Sequence, residues 1–567
     1  MDSSRARITL CLFLVFAAPL AHPQGTAADG PPNVLLLIAD DLGVDLVGAY
    51  DEHPDPARTP IIDALASQGL LFRNAYADPV CSPSRAALIT GRDCRRTGFG
   101  WGTDYFKEAT ELPLSEVCIP EALPPAYRRF AVGKWHLGSL KLSGPFHPNL
   151  QGFEHFRGCT GVFPGFIGNG YYDWQKVTDG VTTQCTTYAT TEIVDDAIEL
   201  IQSAGGDPWF AMVAFNAPHA PFHKPPANLH TYNLPSNIQN SIPVHVKATT
   251  QAMDTEIGRL LESLGPAVLA NTYVIFVGDN GTDKEATTPP FVKTKAKGTV
   301  FEGGINVPLI VWGPDVAVGE CAGLVSITDL FATIMELTGS GATAGDSVSL
   351  VPYFGQPALP SLRATAYSEF FKPNGEGAYS MRLRALRGPR YKLMYSYTLS
   401  NLPTTKCLFD LQLDPWETQN LLDGPLSPEQ QTAHDALAAE LAEPYIAWQP
   451  LTAPVPGTLG APVLDGLGAL VPGGPISILL SNALPGAPVL LVVGGENLGM
   501  YFKGGVLVPR PDSLLFLTVP PNGRLTLTSH WITGIPPGFP ILFQAWILDP
   551  AAIYGWAGTN GLAATGE

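Results

Sequence analysis

Five short apolar runs, continuous rather than alternating, constrain most strongly how this chain can fold. They are Val34–Ala39, Phe130–Val132, Phe210–Phe215, Tyr273–Val277 and Val307–Trp312. A strand with one wet face alternates polar and apolar residues, whereas a run that is apolar throughout is buried on both faces. Helical periodicity lies between these runs, over Thr59–Gln68, Thr190–Gln202 and His245–Leu264. Strands alternating with helices predict an α/β fold with helices on both faces of the sheet. Four of the runs end in chemically capable residues: Asp40-Asp41, Lys134 with His136, His219, and Asp279-Asn280. Ligands of open α/β sheets bind beyond the carboxyl ends of the strands, so these four ends predict one shared site.

The remaining sequence is organised differently. At 567 residues the chain is too long for one hydrophobic core, and two to four domains are expected. From Thr343 to Pro450 the pattern reads as a small α+β unit: strand, turn and strand over Ala385–Tyr397, then a helix over Ser427–Leu441. Beyond Pro450 charge nearly vanishes, leaving Lys503, Arg510 and Arg524 as the only basic residues. Short apolar runs there (Ile476–Leu480, Val489–Val493, Leu514–Val519, Leu525–Thr528, Ile541–Leu548) are separated by Gly, Pro and Asn turns, as in a β-sandwich. At the start, Arg5 and Arg7 precede the apolar run Ile8–Leu20, the shape of a secretory signal peptide and too short a run for a comfortable membrane span. The expected division is 1–28 signal peptide, 29–342 α/β domain, 343–450 α+β subdomain, 451–474 linker and 475–567 β-sandwich. The protein is expected to be secreted or periplasmic, with no transmembrane anchor, and the C-terminal module leaves cell-surface attachment open.

A net charge of −18 argues against nucleic acid, whose phosphates require a basic face. It does not exclude small anions, because a local positive pocket can sit inside an acidic protein. Of the eight cysteines, Cys11 falls in the leader. In an exported protein Cys94, Cys118, Cys159, Cys185, Cys321 and Cys407 could form three disulfides, in any of fifteen pairings. None has Cys-x-x-Cys spacing, so zinc is not expected. Cys81 stands apart, in Cys81-Ser82-Pro83-Ser84-Arg85. Pro83 suits a first helical turn and Gly91 a C-cap, which puts Cys81 at a helix N-terminus where an anion is favoured. On spacing alone, a reactive thiol and a buried structural cysteine are comparable readings.

Cys-x-Pro-Ser-Arg followed by a short apolar helix and Thr90-Gly91-Arg92 resembles the signature of the formylglycine-dependent (type I) sulfatase family, of the alkaline-phosphatase-like superfamily. Further motifs of that family follow in order: Asn33–Asp41, Gly133–Gly138, Ala217–Pro221, Gly278–Gly281, Lys297–Gly304 and the late segment Leu408–Leu421. The resemblance covers roughly residues 31–445. It implies a mixed, mainly parallel sheet, a sulfuric ester hydrolase, and conversion of Cys81 to formylglycine by a formylglycine-generating or other maturing enzyme. Hydrated formylglycine carries two hydroxyls, one to attack sulfur and one to collapse the adduct, so one hard step becomes two.

Asp40, Asp41, Asp279 and Asn280 are hard oxygen donors suited to Ca²⁺ or Mg²⁺. The family implies Ca²⁺, with residue 81 completing the shell. By resemblance Arg85 holds the residue-81 side chain, Lys134 and Lys297 grip sulfate oxygens, His219 or Lys297 protonates the leaving alcohol, and His136 helps expel sulfate. His223 and Lys224 are weaker candidates for substrate contact. The expected substrate is a sulfated carbohydrate or an aryl sulfate. Specificity loops are expected in Lys141–Cys185 and Pro221–Ile242, and Trp531, Tyr554 and Trp556 are candidates for sugar stacking.

Overall fold

The computed structural model describes residues 30–375, 380–398, 405–441, 448–452, 454–467, 470, 473–535 and 539–565. The expected signal peptide, 1–28, lies outside the described residues. The centre of the fold is a ten-stranded sheet. Its strands are β1 (Asn33–Asp40), β2 (Leu70–Tyr76), β3 (Arg128–Lys134), β4 (His155–Cys159), β5 (Trp174–Thr178), β6 (Val181–Cys185), β7 (Trp209–Pro218), β8 (Thr272–Gly278), β9 (Leu309–Trp312) and β10 (Gly319–Ser326). They lie in the order β10-β2-β9-β8-β1-β7-β3-β4-β5-β6. The neighbours β8, β1, β7, β3 and β4 are all parallel.

Alternate residues of β1 feed two separate cores. Leu35, Leu37 and Ala39 pack under helices Pro60–Ser67, Ala189–Ser203 and Ile242–Leu269. Val34, Leu36 and Ile38 pack on the opposite face, against helices Cys81–Thr90 and Asp329–Leu337. This two-sided burial is why β1 and β7 read as unbroken apolar runs. The expected strand at Val307–Trp312 is present as β9, but it runs antiparallel between β8 and β2. β2 and β10 give no such run because Arg73, Asn74 and Glu320 interrupt them, and Arg73 pairs with Glu320 at the partly wet edge.

The α+β unit is a four-stranded antiparallel sheet of Ala366–Lys372, Met381–Arg387, Tyr391–Thr398 and Thr405–Asp410. One face packs on helix Pro428–Leu441 through Leu437 and Leu441. The other packs on the main domain, with Ala385, Met394 and Phe409 against Tyr76, Val300, Ile305 and Leu324. Lys392 is fully buried at this junction, and its ammonium lies 2.8 Å from Glu302 and 2.6 Å from Glu417.

The C-terminal region contains separate antiparallel sheets. Leu464, Ile478 and Leu480 of a three-stranded sheet face Val489, Leu491 and Ala545 of a larger one across a common apolar core. The stretch read as a linker, 451–474, requires correction. Val463–Leu467 is a strand paired with Pro475–Ser481, and Leu464 is buried in the sandwich core. Trp448–Pro450 likewise pairs with Leu562–Ala564. Among the described glycines of 451–474, Gly457 and Gly460 bridge to each other across a turn and Gly466 lies within the strand, so this part is not a free connection.

The disulfide expectation is also corrected. Among the described residues Cys94, Cys118, Cys159, Cys185, Cys321 and Cys407 are all unbridged. Several thiols are instead hydrogen-bonded singly, Cys118 to Gln151 and Cys159 to Gly161 and Asn216. Trp531 is buried in the sandwich core, so of the proposed sugar-stacking aromatics it is unavailable. No helix among the described residues is long and apolar enough to cross a membrane.

The Lys392 junction yields a stability prediction. Lys392→Met leaves Glu302 and Glu417 without their shared cation, and removing one partner of a buried ionic group costs about 3–5 kcal/mol. A urea titration should show the midpoint falling accordingly. An unchanged midpoint would mean that the junction carries little of the fold's stability.

Candidate active site

Because β8, β1, β7 and β3 are adjacent and parallel, their carboxyl ends share one edge of the sheet. Asp40 ends β1, Lys134 ends β3, His219 follows β7, and Asp279 follows β8. Backbone geometry brings these ends together. Asp41 turns left-handed, with φ 66°, and its N–H donates to Asp279 Oδ1 at 3.1 Å. Gly133 also has positive φ, and a Cβ there would lie 1.9 Å from the Ala214 carbonyl of β7. A Cβ on Gly281 would meet the Gly303 carbonyl at 2.0 Å. These two close approaches explain why glycine precedes Lys134 and follows Asn280.

Cys81 opens the helix Cys81–Thr90, and Gly91 closes it in the left-handed conformation, its N–H donating to the Ala87 carbonyl. Cys81 is buried. Its Sγ is 3.2 Å from His136 Nδ1, while His136 Nε2 is 3.0 Å from the Thr103 carbonyl. A carbonyl can only accept, so Nε2 carries the proton and Nδ1 faces residue 81 with its lone pair. Burial, with the charges of Lys134 and Arg85, pushes the His136 imidazolium well below the usual histidine range, so the ring is neutral. Burial also raises the Cys81 thiol, although Lys134 and Lys297 oppose it. As encoded, residue 81 is a protonated thiol and a weak nucleophile.

Three cations neutralise the buried carboxylates. Arg85 Nε and Nη2 reach Asp279 Oδ2 at 2.9 and 2.8 Å, and Nη1 donates to the Lys134 carbonyl at 3.0 Å. Lys134 Nζ donates to Asp40 at 2.6 Å, and Lys297 Nζ to Asp41 at 2.7 Å. Burial alone would lower both ammonium groups, but the facing carboxylates reverse the shift and hold both charged. Burial works against ionised Asp40 and Asp41 as well, yet Lys134 and Lys297 keep them below the usual carboxylate range. Asp279 is raised by burial and by neighbouring Asp40, an excess of negative charge that Arg85 and Lys134 only partly offset. His219 Nε2 lies 3.8 Å from Asp41, and its Nδ1 is 2.6 Å from the Ala220 carbonyl. His219 and Lys297 are the most open of the set, with side chains 18% and 16% exposed.

The donor set fits a hard cation. Asp40, Cys81 and Asp279 each present a ligand atom within 4.8 Å of the others. Asp40 Oδ1 and Asn280 Oδ1 are buried without a hydrogen-bond partner. Unpartnered buried oxygens are costly unless something cationic or donating meets them. Asp41 adjoins this group through Asn280 Nδ2, which donates to Asp41 Oδ1 at 2.9 Å. Oxygen donors of this kind suit Ca²⁺ or Mg²⁺.

Of the sequence-predicted residues, Asp40, Asp41, Cys81, Arg85, Lys134, His136, His219, Asp279, Asn280 and Lys297 converge. His223 does not serve as expected. It is buried, stacked on Tyr171 at 4.0 Å, and both ring nitrogens are engaged, by Tyr188 Oη and the Pro221 carbonyl. Burial draws its pKa down to about 4, so it is a neutral core residue and not a substrate contact. Other residues escaped sequence reasoning. Ser82 Oγ donates to the His136 carbonyl at 2.8 Å, and Thr282 Oγ1 donates to Asp45 at 2.6 Å, linking the loops after β8 and β1. Ser82 was visible inside the Cys81 pentapeptide. Thr103 contributes backbone groups, its carbonyl to His136 and its N–H to Ser82 Oγ, for which no side-chain signal exists.

Comparison with known proteins bears on this site. The family model described as Sulfatase matches residues 32–340. Human N-acetylgalactosamine-6-sulfatase is 34% identical over 363 residues, 58% of this chain and 66% of the relative, so the match spans just under two thirds of that protein. Bovine arylsulfatase A is 32% identical over 459 residues, 71% of this chain and 86% of the relative. The crystal structure of Ps i-CgsB in complex with k-i-k-neocarrahexaose superposes with TM-score 0.62 at 25% identity, covering 73% of this chain and 92% of that one. A structure in complex with its substrate D-glucosamine-2-N,6-O-disulfate shares the fold, with TM-score 0.56 at 21% identity over 73% of this chain and 97% of that one.

The orphaned oxygens generate a prediction with a readout other than turnover. A ligand that binds only the folded state at a hundredfold excess over its Kd stabilises by about 2.7 kcal/mol. Ca²⁺ added to chelator-treated protein should therefore raise the thermal midpoint, and Asn280→Ala should remove most of that rise. An equal rise in the variant would place the ion elsewhere.

Proposed function

The chain belongs to the sulfatase family, and from that premise we propose that it hydrolyses sulfate monoesters through residue 81 after oxidation of Cys81 to formylglycine. The observation that carries this reading is the surroundings of the residue-81 side chain. It lies within 4.8 Å of a carboxylate oxygen of Asp40 and of Asp279 and 3.2 Å from His136 Nδ1, with Lys134 and Lys297 acting on it electrostatically. A protonated thiol in that position supports a converted residue over a thiolate nucleophile.

Each group then has a task set by its position. Lys134 and Lys297, held charged by Asp40 and Asp41, grip sulfate oxygens where negative charge gathers. Arg85 keeps Asp279 in place and adds a fixed cation behind residue 81. His136 Nδ1, unprotonated and 3.2 Å from the residue-81 side-chain atom, accepts a proton from a hydroxyl carried there as sulfate leaves. His219 and Lys297, at the open side, are placed to protonate the departing alcohol oxygen. Asp40, Asp41, Asp279 and Asn280 would hold the divalent cation, which we assign as Ca²⁺ with Mg²⁺ as the alternative. When bound, it supplies positive charge that polarises a sulfate oxygen.

The proposed substrate is a sulfated carbohydrate. The sugar named for the N-acetylgalactosamine-6-sulfatases and the neocarrahexaose bound to Ps i-CgsB support it. The reading also requires a maturing enzyme as partner and, given the leader-like start, export to the periplasm or medium.

Mass spectrometry of the peptide carrying residue 81, from protein made beside a maturing enzyme, should show the aldehyde in place of the thiol. Cys81→Ala should cut sulfate release by roughly three orders of magnitude or more, as loss of a nucleophile does. Matched sulfate and phosphate aryl esters complete the test. Preference for phosphate by orders of magnitude, or full turnover by Cys81→Ala, would overturn the reading.

A further inference from the structure

The wall of the site beside His136 is the segment Gly100–Thr103. Thr103 gives its carbonyl to His136 Nε2, and a Cβ on Gly102 would lie 3.9 Å from the same ring. Trp101 is fixed in this wall by the α+β unit. Asn374 Oδ1 accepts the N–H groups of Gly100 and Trp101 at 2.9 and 2.7 Å, and Asn374 Nδ2 donates to the Trp101 carbonyl at 3.1 Å. The indole packs edge-on against Phe370, with centroids 4.8 Å apart.

Lys372, from the same strand as Phe370, sets its ammonium 3.2 Å from the centre of the Trp101 ring. Its circumstances differ from those of the site's other lysines. Lys134 and Lys297 each touch a carboxylate, whereas among the described residues no carboxylate forms an ion pair with Lys372. Glu108 acts on it only from farther away, and partial burial draws the ammonium below its ordinary range. Trp101 and Lys372 are both half-exposed, so the charge is neither sealed in the core nor fully hydrated. A cation held on an aromatic face keeps its N–H donors for an anion. In a chain of net charge −18, a cation with no carboxylate ion pair among the described residues, held on the wall that meets His136, is a local attractor for negative groups.

We propose that Lys372, positioned by Trp101, forms a subsite for a second anionic group on the sugar, a further sulfate or a hexuronate carboxylate, so that the enzyme prefers multiply charged glycans. This rests on the sulfatase reading above and narrows its substrate class. The residues lie outside the two segments, Lys141–Cys185 and Pro221–Ile242, expected from sequence to carry specificity.

The test uses the full matured chain and four substrates: nitrophenyl sulfate, a galactose monosulfate, a galactose disulfate, and a sulfated N-acetylhexosamine joined to a hexuronate. For Lys372→Met and Lys372→Gln, kcat/KM on a doubly charged sugar relative to the monosulfate should fall roughly tenfold, mainly through KM, as loss of a charge-assisted hydrogen bond predicts. Lys372→Arg should largely retain the ratio. A fall on the disulfate alone assigns the anion as sulfate, and a fall on the hexuronate alone assigns it as carboxylate. Sulfate release with a ratio unmoved in both removal variants, or an equal loss on all substrates, overturns the subsite and leaves the sulfatase reading intact. No release of sulfate from any substrate by the matured parent protein overturns both.

Discussion

The site depends on one electrostatic constraint: three carboxylates, Asp40, Asp41 and Asp279, must stay ionised inside the protein. Burial opposes each of them, and each is met by a cation: Asp40 by buried Lys134, Asp41 by the more open Lys297 and Asp279 by buried Arg85. None of these charges is tolerable alone, because an isolated buried ion loses several kcal/mol of hydration. Together they form a lattice that is nearly neutral yet locally strong, which is what an anionic ester and a divalent cation would both require. Two buried oxygens in this lattice, Asp40 Oδ1 and Asn280 Oδ1, have no hydrogen-bond partner and are the donors proposed for that cation.

The fold serves this lattice by delivering its members from different places. Four adjacent parallel strands place Asp40, Lys134, His219 and Asp279 along one edge, and a helix start places Cys81 among them. Parallel strands are needed because only they point all their carboxyl ends the same way. Close contacts then set the fine geometry. Glycines at 133 and 281 let backbones approach to distances that any side chain would block. The α+β unit closes one side of the site through Asn374 and the Phe370–Trp101 contact, so a region remote in sequence shapes the wall beside His136.

Legibility followed burial. Strands covered on both faces, such as Val34–Ala39 and Phe210–Phe215, carry unbroken apolar runs and could be read directly. β10 at the sheet edge and β2 next to it, where the partly wet surface admits Glu320 and Arg73, could not. The linker reading failed because Pro and Gly mark turns between short strands as readily as they mark free chain, and composition cannot separate the two. His223 failed for a related reason. A histidine near a motif looks chemically available until Tyr171, Tyr188 and the Pro221 carbonyl are seen to enclose it and take both nitrogens.

The sequence by itself determined the α/β class, the residue types at the strand ends, the helix that presents Cys81, and the resemblance that pointed to the family. These follow from local rules of periodicity, capping and spacing, which act over a few residues. Only the tertiary structure decided which charges pair, that His136 is neutral with its lone pair towards residue 81, that among the described residues the six cysteines besides Cys81 stand as single thiols, and that Lys372 lies over Trp101 with no carboxylate ion pair among those same residues. Those outcomes depend on distances between residues far apart in the chain, on burial that shifts proton affinities, and on backbone groups such as the Thr103 carbonyl that leave no mark in the sequence.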